Sequence, residues 1–270
     1  MPVLESLAFM PPVLKTASAV FTSRRMILST VCSCVGMAMS TKIIVTGMAG
    51  AGKSYLFESI VQESKNKKMK RPGQSVKGED HVLYLGNGML PKKITIIPGQ
   101  NMAVSTDLKN KKIDNNDKLE GIIHVMDFGY NSPRDQYSAS NYQSKGIYTF
   151  EGLREYNLNV ELDYFNDLVD RLSALSHKPK WLCLVLSKTD LYKSSDAIKY
   201  YETNQRFKEI LHKLFKIFEK DQVAFFLPTC SDISSLTYGK RNINPKYVKN
   251  NTESLNLLIS LMLTIEMLDC

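Results

Sequence analysis

The residues in this chain with the clearest capacity for chemistry are Gly47-Met48-Ala49-Gly50-Ala51-Gly52-Lys53-Ser54. They match G-x-x-x-x-G-K-[ST] at all four specified positions, the pattern of a phosphate-binding loop. Glycines let the backbone curl until several N–H groups converge on one anion. A helix starting at the end of the loop adds partial positive charge. Lys53 supplies a point charge for β- and γ-phosphates, and Ser54 a hydroxyl for Mg²⁺. Tyr55 follows at once and joins Gly47 to Ser54 as a candidate nucleotide contact.

Such a loop works only if a strand delivers the chain and a helix receives it. Lys42 to Thr46 is a short β-branched run of the kind buried in parallel sheets. Tyr55 to Val61 has the apolar spacing of a helix. Further apolar runs lie at wide spacing. Ile94–Ile97 leads into Pro98-Gly99-Gln100, and Gly121–Asp127 ends in a carboxylate. Trp181–Leu186 leads into Ser187-Lys188-Thr189-Asp190, and Val223–Leu227 into Pro228-Thr229-Cys230-Ser231. Strands separated by helical stretches predict an α/β, three-layer P-loop NTPase fold, a mostly parallel sheet with helices on both faces. Ligands of such sheets sit outside the carboxyl ends of the strands, where each of these polar clusters falls.

With those clusters in place the chain resembles the Ras-like small GTPases over residues 39–270. Ser187-Lys188-Thr189-Asp190 looks like their guanine-reading Asn-Lys-x-Asp box, with Ser187 where the family usually has Asn. The resemblance implies that Asp190 accepts hydrogen bonds from the guanine ring N–H and amino group. It also implies that the Lys188 stem lies along the base. Adenine lacks those two donors, so an unpaired carboxylate would reject it. Thr229-Cys230-Ser231 stands where the family's last base-contacting box would be. Pro98-Gly99-Gln100 is similar to the end of Asp-x-x-Gly-Gln, with Ile96 at the Asp position. By this resemblance Gly99 meets the γ-phosphate, and Gln100 orients the attacking water. A Pro-Gly-Gln box without the Asp is a pattern of the bacterial polarity GTPases of gliding and pilus motility and related prokaryotic small GTPases. A rival assignment makes Asp127 the metal-binding carboxylate, since it also ends an apolar strand.

The same resemblance places switch I between the first helix and a hairpin, with Ser75 as its candidate metal ligand beside Ser54, and switch II over Asn101–Lys118. Two insertions stand out. Asn131–Asn159 is polar and rich in Tyr and Ser, ahead of a helix near Glu161–Leu175. Ser195–Lys220 reads as one long amphipathic helix carrying Phe207, Ile210, Leu211, Leu214, Phe215 and Phe218 on a core face. A last helix is expected over Thr252–Leu268. His177 and His212 stand alone, so neither is assigned a metal.

Residues 1–38 differ from the rest: Pro11 and Pro12 break an early helix, and Ser23-Arg24-Arg25 precedes a moderately apolar run from Met26 to Met39. They are read as an N-terminal extension, either disordered, a mis-assigned start or a targeting segment with the outline of an export signal, the last being less favoured, ahead of a P-loop GTPase-like domain over 39–270. Membrane attachment through them is the less favoured alternative. The chain has 270 residues, 43% of them apolar, enough for a substantial core. No apolar run of roughly 18 residues encodes a transmembrane helix. The five cysteines match no zinc or disulfide framework, which points to a reducing, cytoplasmic setting.

Net charge is +8, concentrated at Lys65, Lys67, Lys68, Lys70 and Arg71 and at Lys109, Lys111 and Lys112. No aromatic residues interleave these lysines, so they read as solvated loop faces rather than a specific nucleic-acid platform. The expected activity is binding of GTP and GDP with Mg²⁺. Hydrolysis would use Lys53 and Gln100 in a molecular switch served by an effector or an activating protein. The alternatives are a nucleotide-binding module with little hydrolysis, an ATP-using ATPase or kinase, and a salt-sensitive nucleic-acid binder.

Overall fold

The computed structural model describes residues 41–65, 79–85, 90–98, 109–114, 116–133, 136–232, 235–247 and 251–264. Gly99, Gln100, Ser75 and residues 1–38 lie outside these. β1 (Thr41–Gly47) runs into α1 (Lys53–Lys65), as the loop pattern requires. β2 (Glu79–Leu85) and β3 (Leu90–Ile96) form an antiparallel hairpin. A turn of π-helix at Asn110–Asp114 precedes β4 (Leu119–Met126). Then come α2 (Gln136–Ser144), α3 (Phe150–Ala174), β5 (Trp181–Leu186), α4 (Ser194–Thr203) and α5 (Gln205–Leu214). β6 (Val223–Pro228), the two-stranded β7 (Leu236–Tyr238) and β8 (Arg241–Ile243), and α6 (Thr252–Thr264) complete the order.

The main sheet has the order β2-β3-β1-β4-β5-β6, and β3, β1, β4, β5 and β6 are parallel. β1 is flanked by β3 on one side and β4 on the other, so connections leave it in opposite directions. That is the topological switch point where open α/β sheets bind ligands. The alternating direction of strand side chains builds two cores. Ile43 and Val45, Ile123 and Val125, and Trp181, Cys183 and Val185 pack one face against Leu56, Phe57 and Ile60 of α1 and Leu255, Leu258 and Met262 of α6. Ile44, Ile122, Met126, Leu182, Leu184 and Leu186 pack the other face against α3, α4 and α5. Gly121 stands opposite Trp181 in register, and a Cβ there would come within 2.0 Å of the indole. The glycine makes room for the chain's single tryptophan.

Three elements differ from expectation. α3 begins at Phe150, well before Glu161, with the Thr149 side chain accepting from Gly152 N–H. Its buried face carries Asn157 and Glu161 among Leu153, Leu158 and Leu162, and those polar residues interrupt the apolar stripe that would have revealed it. The segment read as one helix over Ser195–Lys220 is two. Asn204 adopts an extended backbone and its side chain accepts from Phe207 N–H, capping α5 and ending α4. Phe207, Ile210, Leu214 and Phe218 are nevertheless buried, as the core-face reading requires. The third difference is in the basic run at 109–112, which is not wholly a solvated face. Lys109 is buried, pairs with Asp167 at 2.6 Å and lies over the Tyr164 ring, while Arg171 reaches Asp114 at 2.9 Å and Asn110 at 3.0 Å. Of that charge run, Lys109 is thus docked on α3 through Asp167 and Tyr164.

Candidate functional site

The loop after β1 is shaped by close approach. Gly47, Gly50 and Gly52 all have positive φ, at 136°, 77° and 90°. A Cβ on Gly47 would meet the Val125 carbonyl oxygen at 2.3 Å, so no larger residue lets β4 pack there. A Cβ on Gly50 would meet the Asn131 amide oxygen at 2.3 Å. Asn131 Nδ2 donates to the Ala49 carbonyl, which ties the loop after β4 to the crest of the phosphate loop. Lys53 Nζ donates to the carbonyls of Gly47 at 2.8 Å and Met48 at 2.6 Å, so its ammonium lies within the curl of the loop. Met48 and Ala51 are buried, whereas Ala49, Gly50, Gly52, Ser54 and Tyr55 keep some exposure on the rim.

The base-reading cluster meets this loop from β5 and β6. Ser187 donates from Oγ to the Ala51 carbonyl at 2.6 Å and its N–H to Met126 at 2.8 Å, stitching β5 to both the phosphate loop and β4. Ser187 thus does structural work with the one hydroxyl it has. Thr229 N–H reaches the Leu186 carbonyl at 2.6 Å, and Thr189 N–H reaches the Thr229 carbonyl at 3.1 Å. Cys230 is clamped by Asn251: its N–H donates to Oδ1 at 2.7 Å, and Nδ2 donates to its carbonyl at 3.0 Å. Asp190 is fully buried. One carboxylate oxygen accepts from Ser231 N–H at 3.1 Å, and its carbonyl accepts from Lys246 and Tyr247 N–H at 2.8 and 3.2 Å.

Lys188 sits at φ 57°, in the left-handed region, and is buried. Its ammonium pairs with Asp127 Oδ2 at 2.7 Å and donates to the Tyr130 carbonyl at 2.5 Å. Asp127 is fully buried under this pair, which argues against the rival metal-binding role, since a cation would have to displace the lysine. Asp127 N–H in turn donates to Glu161 Oε2 at 2.6 Å, and Tyr201 OH donates to Glu161 Oε1. Asn157 donates to the carbonyls of Gly129 at 3.2 Å and Asn131 at 3.1 Å.

None of Asn131, Asn157, Glu161, Tyr201 and Asn251 stood out in the sequence. Glu161 alone left a signal, a charged residue at stripe spacing between Leu158 and Phe165. Nearby, His124 on β4 accepts or donates at Nδ1 with Thr46 Oγ1 at 2.8 Å. Burial, then the charges of Lys53 and Lys109, push its pKa down to about 3, so the ring is neutral.

Gly47 to Tyr55, Ser187, Lys188, Asp190, Thr229 and Cys230 therefore converge at the carboxyl edge of the parallel strands. β3 brings the chain to the same edge, with Ile97 N–H bonded to the Val45 carbonyl at 3.0 Å. Ile96 is a core residue at 2% exposure, so the carboxylate expected at that strand end is replaced by packing. For Mg²⁺ the donor set fits in kind: Ser54 offers one hard oxygen in the first turn of α1, and this cation is commonly held by few protein oxygens plus phosphates and water. Among the described residues no group of three or more His, Cys, Asp or Glu could hold a metal, and no helix is long and apolar enough to cross a membrane.

Strand, glycine loop, helix and switch-point crevice together define a P-loop nucleotide-binding protein. Residues 42–235 match the family model described as the Gtr1/RagA G protein conserved region. The chain belongs to that family of small P-loop GTPases, and it is a GTP-binding protein acting as a GTPase switch. No curated protein matches it.

Proposed function

We propose that the chain binds GTP and GDP through Gly47–Tyr55, reads guanine with Asp190 and Lys188, and hydrolyses the β–γ phosphoanhydride slowly by itself. The observation that carries this reading is the Ser187 bridge, which fixes the base-reading loop to the phosphate loop through Ala51. In the hydrolytic step Lys53 neutralises charge developing on the β- and γ-phosphates, and Gln100 orients water. Mg²⁺, when bound with the nucleotide, supplies further charge neutralisation, and Ser54 and Ser75 would hold it. Gly99 N–H meets the γ-phosphate, Thr229 and Cys230 frame the base, and an activating partner contributes an arginine. Asp190 has no exposure, so guanine entry exchanges the Ser231 N–H on its carboxylate for the donors of the base.

We further infer a cytoplasmic location, kinship with the prokaryotic Pro-Gly-Gln type, and a boundary between 1–38 and 39–270. A boundary there is supported by the family match starting at residue 42. Buried Ile96 favours a second reading, a nucleotide-binding module with little hydrolysis, because it removes the carboxylate from the end of β3.

The test is competition of fluorescent GDP and GTP by ATP on wild type and Asp190→Ala. Guanine preference by orders of magnitude, erased in the variant, supports guanine reading. Equal competition by ATP removes it. Single-turnover hydrolysis by Gln100→Leu separates the two readings: a rate equal to wild type takes Gln100 out of the mechanism.

A further inference from the structure

Asp127, Glu161 and Lys188 bring two carboxyl groups and one ammonium together in a space closed to water, each at 3% exposure or less. Asp127 Oδ2 is occupied by Lys188 Nζ at 2.7 Å, but Asp127 Oδ1 is buried with no hydrogen-bond donor. Glu161 lies directly beside it, its Oε2 accepting from Asp127's own N–H at 2.6 Å. The other ionisable groups near this pair include the hydroxyls of Tyr142, Tyr192, Tyr200 and Tyr201 and the guanidinium of Arg154. Burial raises all four phenols, so they stay neutral. Arg154 is held elsewhere, over the rings of Phe128 and Tyr130 with Nε on the Phe128 carbonyl. Were both carboxyls ionised, one buried negative charge would lack a counter-ion and one acceptor would lack a donor, and each is costly in a dry interior. A protonated carboxylic acid supplies one O–H donor, and one acceptor is short of one.

We propose that Glu161 carries a proton in the folded protein and donates it in a hydrogen bond to Asp127 Oδ1, so that the pair holds a single negative charge and positions Lys188 in the base-reading loop. This rests on the reading of Lys188 as a guanine contact. Burial above all, and then the charge of Asp127, push the Glu161 carboxyl up to about 8, against the pull of the Tyr201 and Asp127 N–H hydrogen bonds. Lys188 is fixed at both ends, by a left-handed backbone and by its anchored ammonium, so its stem has little freedom to lose when a base packs on it. Ionising Glu161 places a second negative charge beside the anchor and loosens that geometry. Glu161 and Asp127 are positioning residues and touch no nucleotide.

The experiment is the affinity for a fluorescent GDP analogue with Mg²⁺ between pH 6.5 and 9, for wild type, Glu161→Ala, Glu161→Gln and Asp127→Asn, each checked for cooperative thermal unfolding. Wild type should weaken by about tenfold as pH crosses about 8. Glu161→Ala should be weak throughout. Glu161→Gln, whose amide keeps a donor for Oδ1, should restore tight binding at pH 7 and remove the alkaline loss. An alkaline loss in Glu161→Gln equal to that of wild type overturns the proposal, as does binding by Asp127→Asn as tight as wild type. If Asp127→Asn does not fold, the wild type and Glu161→Gln profiles decide alone. ATP competition on wild type tests the guanine reading separately. Should that reading fail, the proton on Glu161 is still read from stability: the thermal midpoint of wild type must fall relative to Glu161→Gln between pH 4.5 and about 8. Parallel midpoints would reject it.

Discussion

At the scale of single residues, the site is made by contacts that admit one side chain and no larger one. Gly50 combines a left-handed backbone with the Asn131 amide in the space that a Cβ would occupy. Gly50→Val is expected to cost about 1–2 kcal/mol in backbone conformation alone and to push Asn131 off the Ala49 carbonyl. Nucleotide affinity measured by fluorescence titration should drop by at least about tenfold, since the loop's N–H groups no longer converge. Affinity equal to wild type would mean the Asn131 contact yields without disturbing the loop. Ser187→Ala removes one buried hydroxyl that bridges to Ala51. The expected loss is about 1 kcal/mol of stability by denaturant unfolding, with faster GDP release as the functional sign, because the base-reading loop is then no longer tied to the phosphates. Ser187→Asn, with a longer polar side chain, tests whether the family's usual residue can make the same bridge.

At the scale of elements, the sheet and its helices hold those residues by register. Gly121 yields space to Trp181 across the β4–β5 pairing, so Gly121→Ala should move the indole. The expected outcome is a destabilisation of about 1–3 kcal/mol from overpacking and a red shift of the single-tryptophan emission. An unchanged spectrum and midpoint would show that β4 and β5 can separate at no cost. Asn204 decides where one helix stops and the next starts. Asn204→Ala should lose about 1 kcal/mol by thermal unfolding, with less effect on nucleotide binding, because the hydrogen bonds of Asn204 go to Tyr200, Tyr201, Phe207 and Lys208 rather than to the nucleotide-contact loops. The polar ties from the 109–114 turn to α3 matter differently. Arg171 and Asp167 are partly exposed, so their pairs contribute little each, and their value is orientation of the turn beside the helix.

At the scale of the whole molecule, two buried groups give the fold opposite responses to pH. His124 has a folded pKa near 3 against 6.5 in the open chain, so unfolding takes up a proton in acid. Its contribution is fully present above pH 6.5 and is lost progressively as pH falls toward 3. Glu161 is raised, from 4.5 to about 8, so its contribution is fully present below pH 4.5 and is lost as pH rises toward 8. A His124→Gln variant should therefore show a shallower acid loss of thermal midpoint than wild type, and a slope identical to wild type would place the acid sensitivity in other groups. Ligand binding adds to stability by mass action. GTP at a hundred times its dissociation constant should raise stability by about 2.7 kcal/mol, visible as an upward shift in midpoint that Lys53→Ala abolishes.

The sequence by itself determined the phosphate loop, because a glycine turn between strand and helix is local chemistry written in adjacent residues. It determined the parallel architecture too, since buried strands such as Trp181–Leu186 announce themselves by unbroken apolar runs. Only the tertiary structure decided what surrounds that loop. Asn131, Asn157, Glu161 and Asn251 act on groups between 21 and 82 residues away along the chain. Their partners are mostly backbone carbonyls and N–H groups, which every residue possesses and no sequence pattern marks. The same holds for α3, whose buried polar residues look like loop composition until Asp127 and the loop after it supply their hydrogen bonds. Lys188 shows the division most plainly: its place after a strand was legible from spacing, whereas its pairing with Asp127 depends on β4 and β5 lying side by side.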